Sequence, residues 1–185
     1  MRNLAAALIA TVLVGCAHNY QVKSIQRPDP LSPGASALVA VPPDGRYEET
    51  VYASSGRRTA VAVAAAFGKH LPKVDIMAGP ATPEEQLQAA RNGGFDYLVS
   101  PMITHWEDRA TEWSGKRDKI EVEIQTTRVS DGQQLARGAI GGRSRWGTFG
   151  GDSPEDMLEN PIISYVDWLF SPPGTELPDL SKPKK

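Results

Sequence analysis

The chain has 185 residues, 40% of them hydrophobic, with 22 Asp and Glu against 20 Lys and Arg and a formal net charge of −2. That length suffices for one domain with a real core, and the slightly acidic balance excludes a nucleic-acid binder, which needs a basic face. One cysteine in the whole chain excludes an intramolecular disulfide.

Met1 and Arg2 give a short positive start. Leu4 to Val14 is apolar except for Thr11. That run is too short to cross a bilayer and has the length of a signal-peptide core. It ends Leu13-Val14-Gly15-Cys16, which resembles the lipobox of bacterial lipoproteins: a branched apolar residue three before the cysteine and a small one just before it. The resemblance implies removal of residues 1–15 as a signal peptide, a diacylglycerol thioether on Cys16, and a fatty acid such as palmitate on the new amine. Several acyl chains on one residue make a stable anchor. Ala17, rather than Asp, follows the cysteine; by the sorting rule of enterobacterial lipoproteins this implies the outer membrane, with the domain facing the periplasm. The mature chain keeps 19 Lys and Arg against 22 Asp and Glu, a net charge of −3.

Residues 16–35 read as a lipidated tether, with Pro28, Pro30, Pro33 and Gly34 among polar residues and no regular apolar period. A flexible coil of this length reaches on the order of 25 Å. Ser36 to Val41 is a short apolar strand stopped by Pro42-Pro43-Asp44-Gly45. Arg46 to Arg58 is polar. Thr59 to His70 is too uniformly apolar for a surface helix and reads as a buried one. The Ser-Gly-Arg-Arg before it suggests a weak phosphate site, lacking the Gly-Lys-Ser/Thr of a true phosphate loop. Lys73 to Met77 is a second short strand.

Thr82-Pro83-Glu84-Glu85 opens the next helix with a cap, a proline at the first position and a glutamate able to return to the cap amide. Asn92-Gly93-Gly94 closes it. Phe95 to Trp106 is apolar on both faces and so central, and Pro101 within it suggests a bulge or an unpaired position. Lys119 to Val129 alternates, with Ile120, Val122 and Ile124 inward and Glu121, Glu123 and Gln125 outward. Asp131-Gly132 turns the chain back along Gln134 to Ile140. Ser153-Pro154-Glu155-Asp156 begins the last helix, whose stripe is Met157, Leu158, Ile162, Tyr165, Val166 and Leu169; Asn160-Pro161 reads as a restart with a new cap. Residues 171–185 read as a disordered tail. The expected fold is one α+β domain over 36–170, in the order β-α-β-α-β-β-β-α. A mixed sheet of about five strands carries helices packed on one face.

Two loops concentrate the chemistry. The first, His105 to Gly115, holds a His, two Trp, Arg109 and three carboxylates. An enzyme would use His105 as a base with Glu107, Asp108 or Glu112 as acid or orienting group. A metal would use His105 with Glu107, which share one side of an extended strand. No further metal-ligand set, nucleophile elbow, paired helical His or Walker sequence accompanies them, and no cofactor is called for. The plainest reading is structural: Arg109 pairs with neighbouring carboxylates, Trp106 packs inward and His105 hydrogen-bonds at a strand end. An interface comes next, since exposed Trp and Arg are its usual anchors. The second loop, Gly141 to Asp152, holds Arg143, Arg145, Trp146 and Phe149 among glycines before a helix, an arrangement that would suit an anion or a simple capped turn. If the hairpin pairs, the loops meet, and Arg109, Glu112, Trp113, Arg145 and Trp146 form one binding patch.

Three stretches resemble a family of uncharacterised Gram-negative lipoproteins, domain of unknown function 4823: Pro43-Asp44-Gly45-Arg46-Tyr47 with Glu49-Thr50-Val51-Tyr52, then His105 to Gly115, then Thr148-Phe149-Gly150-Gly151-Asp152. The resemblance implies an envelope lipoprotein with no assigned reaction, and it carries over no catalytic residue. The element order is also similar to small α/β domains of periplasmic accessory lipoproteins, a likeness of topology that does not fix function. The expected function is a non-enzymatic module that binds another envelope component, a protein or peptidoglycan, and is held to the membrane by Cys16. The alternative is an envelope hydrolase or metal-dependent enzyme using His105 with Glu107 or Asp108.

Overall fold

The computed structural model describes residues 19–27, 29–107, 118–143 and 156–177. In chain order the elements are β1 (Asn19–Gln26), β2 (Ser36–Val39), β3 (Arg46–Tyr47), β4 (Thr50–Val51), α1 (Ser55–Phe67), β5 (Lys73–Ile76), α2 (Pro83–Asn92), β6 (Tyr97–Glu107), β7 (Lys119–Arg128), β8 (Gln134–Arg143) and α3 (Asp156–Phe170). Six strands form one mixed sheet, ordered β1-β8-β7-β6-β2-β5, and β3 pairs with β4 in a small hairpin. From β6 to β1 the pairing is antiparallel; β2 runs parallel to both β5 and β6.

The sequence explains the two halves. Ala37, Leu38, Val39 and Ala40 are all buried because a parallel strand is covered on both faces. Val39, Val99, Ile120, Ile124 and Ile140 meet Val63 and Phe67 of α1 and Ile162, Tyr165 and Leu169 of α3 on one side. Leu38 and Leu98 point the other way, onto Ala90 and Leu87 of α2. β7 alternates as expected over Lys119 to Gln125, with Ile120, Val122 and Ile124 buried and Glu121, Glu123 and Gln125 half-buried.

The α+β single domain is as expected, with differences of detail. α2 does not share the face of α1 and α3. Right-handed crossovers require this: β2-α1-β5 steps outward and β5-α2-β6 steps back across β2, so their helices fall on opposite faces. The sheet also gains β1 inside the expected tether. Tyr20 and Val22 pack on the core while Gln21 and Lys23 are exposed, and Asn19 pairs with Arg143 of β8. Leu31 is buried and its amide donates to the Leu169 carbonyl at 2.9 Å. Residues 19–27 and 29–35 therefore belong to the folded domain.

The expected disordered tail also begins folded. The Trp168 indole donates to the Thr175 carbonyl at 2.8 Å, and Leu177 packs against the core. The Arg27 guanidinium lies 4.4 Å over the Trp168 ring and donates to the Ser171 carbonyl, so the two terminal segments clasp. Residues 178–185 lie outside those described. Finally, Pro161 sits inside α3 rather than restarting it. It forfeits one bond early in the helix, while Met157, Leu158, Ile162, Tyr165, Val166 and Leu169, all 2% exposed or less, hold the helix down. Among the described residues no helix is long and apolar enough to cross a membrane.

Candidate functional site at the bulged end of the sheet

One extra residue sets the site. Along β6, Tyr97, Val99, Pro101 and Ile103 face α1 and α3, so strict alternation would send His105 and Glu107 into the core and Trp106 out. Instead Ile103 pairs with Val122 and His105 with Glu121, leaving Thr104 as a bulge. The bulge reverses the phase. Trp106 becomes 1% exposed beside Ile120, and His105 and Glu107 turn to the polar face. The Thr104 hydroxyl donates to the Glu121 carbonyl at 3.2 Å. Pro101 is not the bulge. The Val99 carbonyl accepts from Ala40 on the β2 side, so Pro101, two residues on, faces the same side just past the end of β2, where no donor is needed.

His105 Nε2 lies 3.1 Å from Glu107 Oε2. The His105 ring meets the edge of Tyr47 at 5.6 Å between centroids. Tyr47 is held by the Pro42–Gly45 turn. A Cβ on Gly45 would stand 2.6 Å from the Trp106 Cβ, so only glycine lets this turn lie against β6. The Asp44 carboxylate accepts the Ser54 amide at 3.0 Å and the Gly56 amide at 2.9 Å, and the Gly45 amide donates to the Ser55 hydroxyl at 2.7 Å. Asp44 thus caps α1, which starts four residues before the expected Thr59, and occupies the N-terminus considered for a phosphate. Tyr47 was missed in the sequence as a neighbour of His105, though it belongs to the Pro43–Tyr47 stretch singled out there.

The same sheet end carries Lys119, Glu121 and Arg143. Glu107, Lys119 and Arg143 fall in one row across β6, β7 and β8, and Lys119 Nζ lies 3.6 Å from Glu121 Oε2. Chemically, the His105–Glu107 pair can hold and orient a proton. Among the described residues no group of three or more His, Cys, Asp or Glu is placed to hold a metal ion. Cys16, Asp108, Arg109, Glu112, Trp113, Arg145 and Trp146 lie outside the described residues. Their flanks do not: 108–117 leaves at Glu107 and returns at Asp118, while 144–155 leaves at Arg143 and returns to α3, whose Met157 Cβ is 3.0 Å from a Cβ built on Gly142. Both stretches are rooted at one end of the sheet.

A cleft of about 760 Å³ at the opposite end is lined by Arg91, Asp96, Tyr97, Arg128 and Ser130 among others. Its charges are already engaged. The Asp96 carboxylate accepts the Ser36 amide and hydroxyl, each at 2.8 Å, which holds its pKa below the usual value. Arg128 donates to Asp131 at 2.9 Å and Arg91 to the Val129 carbonyl at 3.4 Å. These contacts tie strand ends together.

The family model for domain of unknown function DUF4823 matches residues 29–169. The chain belongs to this family. No curated protein matches this DUF4823 chain by sequence. Among solved structures, it is similar to the PelC dodecamer from Paraburkholderia phytofirmans, with a TM-score of 0.60 at 19% identity over 81% of this chain and 96% of that one. It is also similar to the lipoprotein GNA1162 from Neisseria meningitidis, with a TM-score of 0.52 at 14% identity over 72% of this chain and 98% of that one. At these identities what the DUF4823 domain shares with both is its fold.

Proposed function

We propose that this protein is an envelope lipoprotein, made with a signal peptide over residues 1–15, acylated at Cys16 and delivered to the outer membrane with its domain in the periplasm. There it acts as a non-enzymatic binding or accessory module. One observation carries the reading: the stretches holding Arg109, Glu112 and Trp113, and Arg145 and Trp146, are rooted side by side at one sheet end. Trp and Arg are the residues from which binding hot spots are made. The fold it shares with a lipoprotein and with a dodecamer-forming protein supports a part in an assembly.

The test is a crosslinked pull-down from intact envelopes with wild type, Trp113→Ala and Arg145→Ala. One envelope protein or peptidoglycan fragment enriched by wild type and lost by both variants is the expected result. Retention by both variants refutes the patch. A hydrolytic reading rests on the 3.1 Å His105–Glu107 contact, with Asp108 as the other candidate carboxylate. It predicts that His105→Ala loses function while folding and partner capture stay intact.

A further inference from the structure

We infer that the sheet end carrying the Asn19–Arg143–Lys119–Glu107 row rests against the phospholipid headgroups of the membrane that holds the anchor. The inference builds on the acylation of Cys16 proposed above and adds the pose of the domain, and with it the surroundings in which the patch must work. It follows from chain length and register. β1 begins at Asn19, three residues after Cys16, and three extended residues span at most about 11 Å. The coil expected from composition would have let the domain drift and turn; pairing of β1 with β8 removes nearly all of it. β7 has 10 residues, so at roughly 3.3 Å each the sheet is about 30 Å long. A leash that short cannot bring the far end, the Arg128–Gln133 turn, to the surface that binds the lipid.

The row itself suits that surface. Asn19 pairs with Arg143, Arg143 with Lys119, and Lys119 with Glu107. Arg143 is exposed, Lys119 is half-buried with its ammonium 3.6 Å from Glu121 Oε2, and Glu107 completes the row. The rim therefore carries charges of both signs and offers the exposed Arg143 guanidinium to lipid phosphate, a contact favoured at an anionic membrane surface. The chain outside the described residues at 108–117 and 144–155 leaves from this end. A partner of the proposed patch must therefore be reachable within the headgroup zone, which favours a membrane-associated partner over one deep in the periplasm.

The experiment uses the full acylated protein in phosphatidylethanolamine/phosphatidylglycerol vesicles containing nitroxide-headgroup lipid. Cys16 is the chain's one cysteine and its sulfur is held in the thioether, so an introduced cysteine is the sole free thiol for a fluorophore. Labels at Arg143→Cys and, separately, Lys119→Cys report the near end; a label at Asp131→Cys reports the far end. The expected result is loss of fluorescence at both near positions and none at the far one. Equal quenching at both ends, or quenching at the far end, in a protein that carries acyl chains by mass overturns the pose and leaves the anchor standing. A protein without acyl chains that floats free of the vesicles overturns the anchor and the pose together. Near-end quenching abolished by adding an envelope protein that binds there assigns the surface to that protein and overturns the lipid contact.

Discussion

Deleting Thr104 tests the bulge directly. Thr104 is the extra residue, so its removal leaves Ile103, His105, Trp106 and Glu107 in strict alternation, with Trp106 still inward opposite Ile120 and His105 and Glu107 still on the other face. The Trp106 side chain is 1% exposed; a Trp of about 200 Å² at roughly 25 cal/mol per Å² contributes about 5 kcal/mol, and the deletion keeps that burial. Were Thr104 an ordinary ladder residue, its removal would throw Trp106 outward and strand the Glu107 carboxylate on the apolar side, and a domain of ordinary stability, about 5–15 kcal/mol, would lose much or all of it. Thr104→Ala is the control. It keeps the residue count and loses only the exposed hydrogen bond to the Glu121 carbonyl, a cost of about 1 kcal/mol or less. Urea unfolding followed by tryptophan emission reads both. The deletion and Thr104→Ala should both stay close to wild type in midpoint and emission. A deletion variant that is unfolded, or whose midpoint falls far to low urea with red-shifted emission, would refute the account of how Trp106 and His105 reach their faces.

Two further outcomes follow from the packing and the charges. A Cβ on Gly138 would stand 2.4 Å from the Tyr165 ring, so Gly138→Ala overpacks the α3–β8 contact and costs about 1–3 kcal/mol; calorimetry should show a Tm lowered by roughly 2–12 °C, and an unchanged Tm would mean that α3 does not seat on β8. The Asp96 carboxylate has a folded pKa below its usual value because of the Ser36 amide and hydroxyl. Its contribution is therefore full above the unfolded value of about 3.9 and is lost as pH falls through the folded one. The wild type should exceed Asp96→Asn in urea midpoint at pH 7, with the gap closing below about pH 4; a gap that persists in acid would place its origin in something other than the charge.

The elements with local chemical signatures were legible in the sequence. The cap of α2 forms as read: the Thr82 amide donates to Glu85 Oε2 at 2.8 Å and the Glu85 amide to the Thr82 hydroxyl at 3.3 Å. The β7–β8 turn and the wet face of β7 follow from Asp131-Gly132 and a clean period of two. What stayed hidden depends on partners distant in sequence. β1 offers only Tyr20 and Val22 as an alternating pair, and β8 decides that they matter. The face of α2 depends on strand order, which no local pattern encodes. The bulge left a trace in the spacing of Ile103 and Trp106, which lie out of phase for one face, yet only the pairing with β7 shows which residue is extra. For the candidate site, the alternation that places His105 beside Glu107 was readable, while Tyr47 reaches them through the Asp44-capped turn.

Among the described residues β1 is the first element in chain order, and β8, its partner, is followed by α3. Closing that pair brings together residues separated by most of the domain, which is slow relative to local helix and hairpin formation. Under the anchoring proposed above, the stretch after Cys16 would have no strand to join until β8 had emerged. The anchored chain would swing on a long leash until then, and late closure of β1 on β8 would shorten that leash and draw the domain to the proposed pose.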